Sequence, residues 1–336
     1  MKRCLELAAT GKGYVAPNPM VGSVIVYDGE VIGEGYHAHF GEAHAEANAI
    51  AAVSDVDLLS KSTLYANLEP CTHIGKTGSC AELIVNSSIG KVVIGCRDSN
   101  AQVTGRGVEY LKEHGCEVVV GVREAECLEL NRRFVAFHEK QRPYIILKWA
   151  ESLDGFIAPA DQVQQWITGD ESKRLVHKWR AEEHAIMVGT NTVVTDNPAL
   201  TTRLWPGDNP IRISIDNKGR IPSASHILNG AADTIVYTDR IKEGPQYSDY
   251  VEVAQGAEQL PAIIADLYSR DVTSLLVEGG QQLLNSFIGC GLWDEARVFT
   301  GTMEFGEGRK APQLPTAHND EVEVGEDLLR LHYNKA

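Results

Sequence analysis

The feature that most constrains this chain is a short histidine motif, His44-Ala45-Glu46, followed by Pro70-Cys71 and then by Cys80. One histidine nitrogen and two cysteine thiolates suit Zn²⁺ when the fourth position is left to water. A fold that uses these ligands has to bring His44, Cys71 and Cys80 together around one metal ion. Glu46 would then be a general acid or base rather than a ligand.

The order of these residues matches the pattern H-x-E followed by P-C-x-x-C, which is typical of zinc enzymes that deaminate nucleobases. In such enzymes a water activated by zinc attacks the ring carbon that carries the exocyclic amine. The chain departs from the pattern in one place, because eight residues rather than two separate its cysteines. The alternative is that Cys71 and Cys80 are unrelated core thiols and His44 a surface histidine, which the ordered combination disfavours.

Composition sets outer bounds on size, location and partners. A chain of 336 residues suggests two domains. A net charge of −15 argues against broad binding to nucleic acids or membranes, but it allows a local basic pocket for one small phosphorylated substrate. No apolar run reaches transmembrane length and the first residues lack a signal-peptide core, so we expect a cytoplasmic protein. The seven cysteines show no framework spacing, as is usual in a reducing compartment.

The hydrophobic pattern of the first 121 residues predicts alternating strands and helices. We expect strands at 21–27, 30–35, 63–68, 91–95 and 117–121, with helices at 45–53 and near 107–113. Asp28-Gly29 predicts a two-residue hairpin turn. Ser79 and Glu82 predict a helix start that places Cys80 in the first turn, where the helix dipole favours a thiolate. His44 and Glu46 would lie about 200° apart on a regular helix, so both can face one metal only if His44 is at the irregular start of its helix.

A charged helical stretch at 122–141 ends at Arg142-Pro143, which marks a boundary. We therefore expect a zinc domain at 1–121, a helical linker at 122–141 and a second domain at 142–336. Short apolar strands of the buried kind are expected at 144–149, 185–189, 211–216, 234–237 and 274–277, with helices such as 171–182, 258–269 and 281–288. The turn Glu278-Gly279-Gly280 resembles a phosphate cradle at a helix N-terminus, although such a turn is more often only a tight connection. The dinucleotide pattern G-x-G-x-x-G is absent there.

Further motifs resemble the family of bifunctional deaminase–reductases of riboflavin biosynthesis. The eight-residue cysteine spacing is a trait of that family. The motifs in the first half are Asn18-Pro19-Met20-Val21-Gly22, Gly33-Glu34-Gly35-Tyr36-His37, Gly41 to Glu46, Leu68 to Thr77, Gly105-Arg106-Gly107 and Asn131-Arg132-Arg133-Phe134. Those in the second half are Arg142-Pro143-Tyr144, Ser152-Leu153-Asp154-Gly155, Trp166-Ile167-Thr168, Val188-Gly189 with Thr192, Asp196-Asn197-Pro198-Ala199-Leu200 and Val277 to Gly280. The chain departs from the family at Ser99, Ala101, Gln164 and Thr300 to Phe305.

The resemblance implies an α/β protein with an N-terminal cytidine-deaminase-like α/β/α domain and a C-terminal dihydrofolate-reductase-like α/β domain. The first would hydrolyse the 2-amino group of 2,5-diamino-6-ribosylamino-4(3H)-pyrimidinone 5′-phosphate. It implies Zn²⁺ on His44, Cys71 and Cys80, with Glu46 as the proton shuttle. Asn18 and His37 would orient the ring, and Lys76 would meet the ribose phosphate. On local grounds alone, Asn18 could equally be a turn residue.

For the second domain the resemblance implies reduction of the ribosyl group to ribityl by NADPH. It implies a small phosphoribosylated pyrimidine as the substrate, no nucleic acid or membrane partner, and a homo-oligomer. The implied cofactor contacts are Ala150, Trp166, Thr192, Asp196, Gly280, Gln281, Gln282, Leu283, Leu284, Asn285 and Ser286. The implied substrate contacts are Gln164, Arg180, Leu200, Arg203 and Glu278.

Two other functions remain open from the sequence. One is an enzyme that only deaminates, with the second domain kept as a nucleotide-binding module or scaffold. The other is a deaminase of bases in RNA, which the acidic charge and the lack of a basic, aromatic-interleaved stripe disfavour.

Overall fold

The computed structural model describes residues 1–72, 78–101, 103–161, 165–240 and 246–334. The chain divides into two compact units, Met1–Gln141 and Arg142–Ala336. Both units are α/β, as the sequence predicts. Within the described ranges, no helix has the length and apolarity that would let it cross a membrane.

The first unit is built on a five-stranded sheet in the order β2-β1-β3-β4-β5. Its strands are β1 (Gly22–Tyr27), β2 (Glu30–Tyr36), β3 (Thr63–Leu68), β4 (Lys91–Cys96) and β5 (Glu117–Val120). Its helices are α1 (Lys2–Ala9), α2 (Ala45–Ala51), α3 (Cys80–Asn86), α4 (Arg106–Glu113), α5 (Glu124–Leu130) and α6 (Arg132–Lys140). β3, β4 and β5 run parallel, whereas β1 runs antiparallel to both of its neighbours.

Two faces of this sheet are covered by different helices. Ile25 on β1 packs with residues of α2, α3 and α4 in one apolar cluster, whereas the adjacent Val24 packs against Cys4 and Leu7 of α1. Since successive strand residues point to opposite faces, the unit has three α/β/α layers. The hairpin turn is confirmed, with φ of 48° at Asp28 and 82° at Gly29.

The two helices expected as a linker, α5 and α6, belong to the first unit in the structure. Cys127 of α5 is fully buried in a cluster with Leu68 of β3 and Cys96 of β4. Helix α5 therefore covers the sheet, and the side chain of Cys127 is part of the core of the first unit.

The second unit is built on a nine-stranded sheet in the order β11-β10-β9-β8-β12-β6-β13-β16-β15. Its strands are β6 (Tyr144–Glu151), β8 (Ala185–Gly189), β9 (Ile211–Ile215), β10 (Thr234–Thr238), β11 (Ser248–Glu252), β12 (Ser274–Glu278), β13 (Glu295–Thr300), β15 (Asp320–Val324) and β16 (Asp327–Tyr333). A separate ribbon pairs β7 (Phe156–Pro159) with β14 (Gly308–Lys310). The helices are α7 (Asp170–Glu182), α8 (Thr190–Asp196), α9 (Gln259–Ser269) and α10 (Gln281–Gly289).

All strands of the nine-stranded sheet from β11 to β13 are parallel, and β16 and β15 add an antiparallel edge. Ile145 and Leu147 of β6 face the main core with α9 and α10, whereas Lys148 lies on the opposite face. There Trp179 of α7 lies 5.5 Å from the ring of Phe299 on β13. Because the carboxyl ends of parallel strands share one edge, the turns after β8 and β12 meet there.

Candidate active sites

The structure brings the three predicted zinc ligands together in the first unit. His44 Nδ1 lies 3.6 Å from Cys71 Sγ and 3.3 Å from Cys80 Sγ. A tetrahedral zinc site with ordinary bond lengths separates its ligand atoms by about 3.5–3.8 Å, so this donor set fits the metal. Among the residues that the structure describes, this is the one cluster of three or more His, Cys, Asp or Glu side chains whose ligand atoms all lie within 4.8 Å of one another.

The backbone explains how His44 and Glu46 share this site. His44 is the residue that caps α2, with φ −74° and ψ 164°, and so has extended rather than helical geometry. Glu46 is the second residue of the helix and is 3% exposed. The expectation that His44 lies at the irregular start of its helix is confirmed.

The start of α3 holds the two cysteines in place. Ser79 Oγ accepts the Glu82 N–H at 3.2 Å, which confirms the expected N-cap. The same hydroxyl donates to the Cys71 carbonyl at 3.1 Å, and the Ala81 N–H donates to that carbonyl at 3.0 Å. The Cys80 N–H points at Cys71 Sγ, 3.5 Å away. The helix N-terminus therefore fixes Cys71 beside Cys80.

The charges of the cluster favour one thiolate before any metal is considered. The hydrogen bond from Cys80 lowers the pKa of the Cys71 thiol to about 4. Burial opposes this effect, and the hydrogen bond from His44 adds to it. The thiolate expected at Cys80 from the helix dipole lies at Cys71 instead, since the hydrogen bond with Cys71 and burial raise the pKa of the Cys80 thiol. Burial and then the charge of Cys71 raise the pKa of Glu46. A divalent cation that displaced the remaining thiol proton would neutralise the excess negative charge.

Asn18 and His37 also meet beside this cluster. Asn18 Nδ2 lies 3.1 Å from His37 Nε2, and His37 Nδ1 lies 3.1 Å from the Ala43 carbonyl oxygen. The carbonyl requires a proton on Nδ1, so Nε2 accepts a hydrogen bond from the amide group of Asn18. The His37 and His44 rings are 5.2 Å apart. Lys76, expected at the phosphate, lies outside the described residues.

Sequence reasoning missed Glu69, which directly precedes Pro70-Cys71. Its buried carboxylate accepts backbone N–H groups from Asp98 at 3.2 Å, Gly105 at 3.0 Å and Val108 at 3.0 Å. The residue thereby ties the loop after β4 to the strand end that carries Cys71. The sequence offered one indication of this role, which is a carboxylate directly before the motif Pro70-Cys71.

The second unit places the expected cofactor residues at the meeting turns of β8 and β12. The Gly280 N–H donates to Thr192 Oγ1 at 3.2 Å, and Asn191 Nδ2 donates to Gln282 Oε1 at 3.4 Å. The Gly280 N–H is thus already engaged, which leaves the following residues of α10 to face a phosphate. Of the expected range, Leu284 is buried in the core, and Asn285 and Ser286 lie exposed further along the helix.

The remaining expected cofactor positions lie on other elements. Ala150 is near the end of β6, and Asp196 ends α8, where burial raises the pKa of its carboxyl against the nearby charge of Arg309. Trp166 is 67% exposed, with Lys173 Nζ 4.6 Å from its ring centroid. An exposed indole is available to stack on a planar ligand.

The polar centre of this unit is an ion pair beneath α7. Arg180 holds Glu278 with two bonds, Nε to Oε1 at 3.1 Å and Nη2 to Oε2 at 2.8 Å. Burial alone would raise the pKa of Glu278, but the charges of Arg180 and Lys148 outweigh it and lower that pKa to about 2. Arg180 is therefore committed to Glu278, and Arg203 is the other cation expected for the substrate. Gln164 lies outside the described residues.

Lys148 is a second residue that sequence reasoning missed. It pairs with Glu278 in the register of β6 and β12, and burial lowers the pKa of its ammonium group while Glu278 opposes this effect. A lone lysine inside the apolar run Tyr144 to Trp149 was the signal in the sequence.

Comparison with known proteins matches both units. The description "RibD C-terminal domain" covers residues 143–331, and "Cytidine and deoxycytidylate deaminase zinc-binding region" covers residues 1–96. The riboflavin biosynthesis protein RibD of Aquifex aeolicus is 40% identical, with 98% of this chain and 96% of that protein aligned. RibD of Escherichia coli is 35% identical, with 89% of this chain and 86% of that protein aligned.

Two solved structures are similar over nearly the whole chain. One is the diaminohydroxyphosphoribosylaminopyrimidine deaminase/5-amino-6-(5-phosphoribosylamino)uracil reductase of Thermotoga maritima. It is 38% identical with a TM-score of 0.90, and 98% of this chain and 96% of that chain are covered. The other, Acinetobacter baumannii RibD, is 32% identical with a TM-score of 0.91, covering 99% and 98%.

Proposed function

The chain belongs to the RibD family of bifunctional riboflavin biosynthesis enzymes, and we propose that its two units act in turn on one phosphoribosylated pyrimidine. Family membership makes it a deaminase and a reductase, with a zinc-binding deaminase domain and a reductase domain that takes a nicotinamide cofactor. The family and the α/β fold class expected from the motifs are confirmed. The substrates, the preference for NADPH and the roles of individual residues are proposals.

The first unit deaminates 2,5-diamino-6-ribosylamino-4(3H)-pyrimidinone 5′-phosphate at its 2-amino group. The observation that carries this step is the donor triad, whose His44 Nδ1 lies 3.6 and 3.3 Å from the two sulfurs. His44, Cys71 and Cys80 would hold Zn²⁺, which when bound lowers the pKa of water towards neutrality.

Glu46 moves the protons of the deamination. Its carboxylate takes a proton from the attacking water and gives it to the ring nitrogen. It then takes the proton of the hydroxyl on the tetrahedral carbon and passes it to the leaving amine, so that ammonia departs as the carbonyl forms. Asn18, held by His37, presents its amide oxygen to the pyrimidine edge. Lys76 supplies charge for the ribose phosphate.

Residues 1–121 carry the deaminase chemistry in this proposal, with α5 and α6 packed onto them. The test is zinc content per chain together with ammonia release from the diaminopyrimidine substrate, with cytidine as the competing amine. Less than one zinc per active chain, or equal turnover of cytidine, would contradict the assignment.

The second unit, residues 142–336, reduces the deaminated product. Opening of the ribosylamine ring breaks the bond between C1′ and O4′, so O4′ gains a proton while the nitrogen, which keeps its hydrogen, forms a protonated imine with C1′. A bound nicotinamide cofactor would supply the hydride that C1′ accepts to give the ribityl amine. Lys148 lies beside Glu278 in a buried site and is the proton donor in this proposal, because its pKa is lowered towards the working range.

The turns after β8 and β12 would hold the cofactor, and the first turn of α10 would meet its phosphates. Thr192 and Asp196, both in α8 after the β8 turn, would contact the cofactor, and the exposed Trp166 would offer its ring for stacking. Leu200 and Arg203 meet the phosphoribosyl substrate. NADPH is chosen over NADH by family resemblance, so the two are compared by their dissociation constants and by the rate of oxidation with the deaminated substrate.

A protein that only deaminates is the competing function. It is favoured if neither NADPH nor NADH is oxidised when the deaminated product is supplied to the full chain. A cytoplasmic location and a homo-oligomer, without nucleic-acid or membrane partners, remain expectations of the sequence. Light scattering on the purified chain measures its oligomeric state.

A further inference from the structure

One loop of the second unit has a strained backbone at a buried residue. Residues 197–203 follow α8 and include two non-glycine residues with left-handed φ, Asn197 at 42° and Leu200 at 54°. Asparagine tolerates this conformation, whereas in leucine the Cβ clashes with the backbone. Leu200 is also 2% exposed. Such a conformation persists only where neighbouring contacts hold it, and strain of this kind is common at ligand sites.

The loop is held on the N-terminal side of Leu200 by Arg212. This side chain is fully buried in β9, although the sequence predicts an apolar strand there. Its guanidinium donates to the carbonyl of Ala199 at 3.4 Å, and to acceptors in residues 226–234. Those acceptors are the carbonyls of His226 at 3.0 Å and Ala232 at 2.6 Å, Asn229 Oδ1 at 3.0 Å and Thr234 Oγ1 at 3.1 Å.

A cation this deeply buried with neutral partners is costly, and burial lowers its pKa. The acceptors around the guanidinium offset that cost and join the loop to the segment that follows it. His226 adds a second tie, since its backbone N–H donates to Asn197 Oδ1 at 2.8 Å.

The loop is held on the C-terminal side of Leu200 by His177 of α7. The Arg203 N–H donates to His177 Nδ1 at 3.0 Å. Because Nδ1 is the acceptor, the imidazole carries its proton on Nε2 and is neutral. Burial, followed by the charges of Arg180 and Arg203, lowers the pKa of His177 to about 4. The acceptor is therefore available at neutral pH.

We propose that His177 and Arg212 are positioning residues of the reductase unit, which clamp the loop on both sides of Leu200 and so fix Arg203 for the substrate phosphate. The Arg203 guanidinium follows the clamped backbone, since its Nη1 donates to Thr201 Oγ1 at 2.9 Å. The inference rests on the proposed function only in taking Arg203 as a substrate contact. Both positioning residues act through the loop rather than by touching the substrate.

Two substitutions at His177 separate its acceptor from its other properties. His177→Asn keeps an acceptor where Nδ1 lies, whereas His177→Gln reaches the place of Nε2 and loses that acceptor. We expect His177→Gln to raise the reductase KM for the deaminated substrate by about tenfold, the order of effect of one unsatisfied buried donor. The kcat, the NADPH dissociation constant and ammonia release should stay within about twofold, and His177→Asn should restore the KM.

Amide hydrogen exchange at Arg203 gives a readout that does not require activity. We expect protection in the wild type and in His177→Asn, and exchange at least about tenfold faster in His177→Gln. Arg212→Lys keeps the charge but loses several of the donors. It should raise the same KM and speed the same exchange, and the double variant with His177→Gln should be non-additive because both residues hold one loop.

Each result supports or overturns the clamp. Equal KM values for all variants, an equal loss in His177→Asn and His177→Gln, or an effect on kcat alone would overturn it. Unchanged exchange at Arg203 in both His177→Gln and Arg212→Lys would also overturn it. A wild type that never oxidises NADPH would instead remove the proposed reductase function, and the exchange data would still decide whether the clamp exists.

Discussion

One backbone conformation decides whether the zinc chemistry is possible in this chain. If His44 were inside α2, its ring and the carboxylate of Glu46 would point about 200° apart. The extended ψ of 164° at His44 turns its ring towards the cysteines while Glu46 enters from the helix. The donor triad and the buried carboxylate therefore share one site, and each can be tested separately.

Glu46→Gln removes the proton shuttle but leaves all three zinc ligands. We expect deamination to fall by about 10²–10⁴-fold, the usual contribution of a general acid and base, with zinc content unchanged. Ammonia release and metal analysis measure the two effects. Glu113→Gln is the matched control, since Glu113 is exposed at the end of α4. An equal loss in both variants would refute the role of Glu46.

Cys80→Ser should reduce metal binding itself. A serine hydroxyl is a poor zinc ligand, and even losing a partner of a ligand weakens metal affinity by about 10–100-fold, so we expect a loss at the upper end of this range or beyond. Competition with a chromogenic chelator measures the affinity. Cys290→Ser is the control, since Cys290 is an exposed thiol of the second unit. Wild-type zinc affinity in Cys80→Ser would show that Cys80 is not a ligand.

Lys148→Met should slow the reductase without weakening the cofactor. We expect kcat to fall by about 10²–10⁴-fold and the NADPH dissociation constant to stay unchanged. A proton donor works only while protonated, so wild-type turnover should decline as pH rises through the pKa of Lys148, which burial places below 10.5. Lys148→Arg keeps the positive charge but holds its proton too tightly to donate it, so its kcat should fall as in Lys148→Met. An unchanged kcat in Lys148→Met would contradict the role.

Single residues differ in how far the sequence reveals them. His44, Glu46, Cys71 and Cys80 form a spaced pattern whose chemistry follows from the residue types and their order alone. His177 and Arg212 stand alone in their segments, and their hydrogen-bond partners lie between 13 and 26 residues away along the chain, so no local pattern could single them out.

At the scale of elements, local chemistry predicted most starts and turns. Asp28-Gly29 and Ser79 act on their immediate neighbours, and the structure confirms both. The sequence patterns did not predict α1, α8, β7, β11, β13, β14, β15 and β16. β13 pairs with β6 and β16 across long stretches of chain, for which short-range patterns carry little information. β15 and β16 form a hairpin across Gly325-Glu326, which is a local signal that sequence reasoning missed.

The start of α10 gives a prediction at this scale. A Cβ at Gly280 would meet only Thr192 Oγ1, at an ordinary 3.7 Å, and φ there is −64°, so Gly280→Val should fold normally. Its branched side chain should obstruct a phosphate at the first turn and raise the NADPH dissociation constant by about 10–100-fold, as for one or two lost charge-assisted bonds. Fluorescence titration measures this.

The matched control lies at the other end of the same helix. A Cβ at Gly289 meets no atom within 4 Å, so Gly289→Val tests a valine in α10 away from the turn. Equal NADPH binding by Gly280→Val and the wild type would mean that the cofactor does not approach this turn.

At the scale of the whole molecule, the boundary at Arg142-Pro143 was predictable because a proline follows a charged helix. The strand order was not. β12 lies between β8 and β6, although β8, β9, β10 and β11 come earlier in the chain than β12. That arrangement brings Glu278 beside Lys148 and the Gly280 turn beside Thr192, so both parts of the second site depend on tertiary topology.

The two sites lie in different units, which predicts that zinc removal separates the activities. The donor triad is within Met1–Gln141, whereas Lys148, Glu278 and Gly280 are within Arg142–Ala336. Dialysis against a chelator should abolish ammonia release. NADPH oxidation with the deaminated substrate should stay within about twofold, because only residues of the first unit would hold the metal and separate sites act independently. Added Zn²⁺ should restore deamination. Parallel loss of both activities on zinc removal would show instead that the second unit depends on the metal of the first. Lower ammonia release in Gly280→Val would show that the first unit depends on the second.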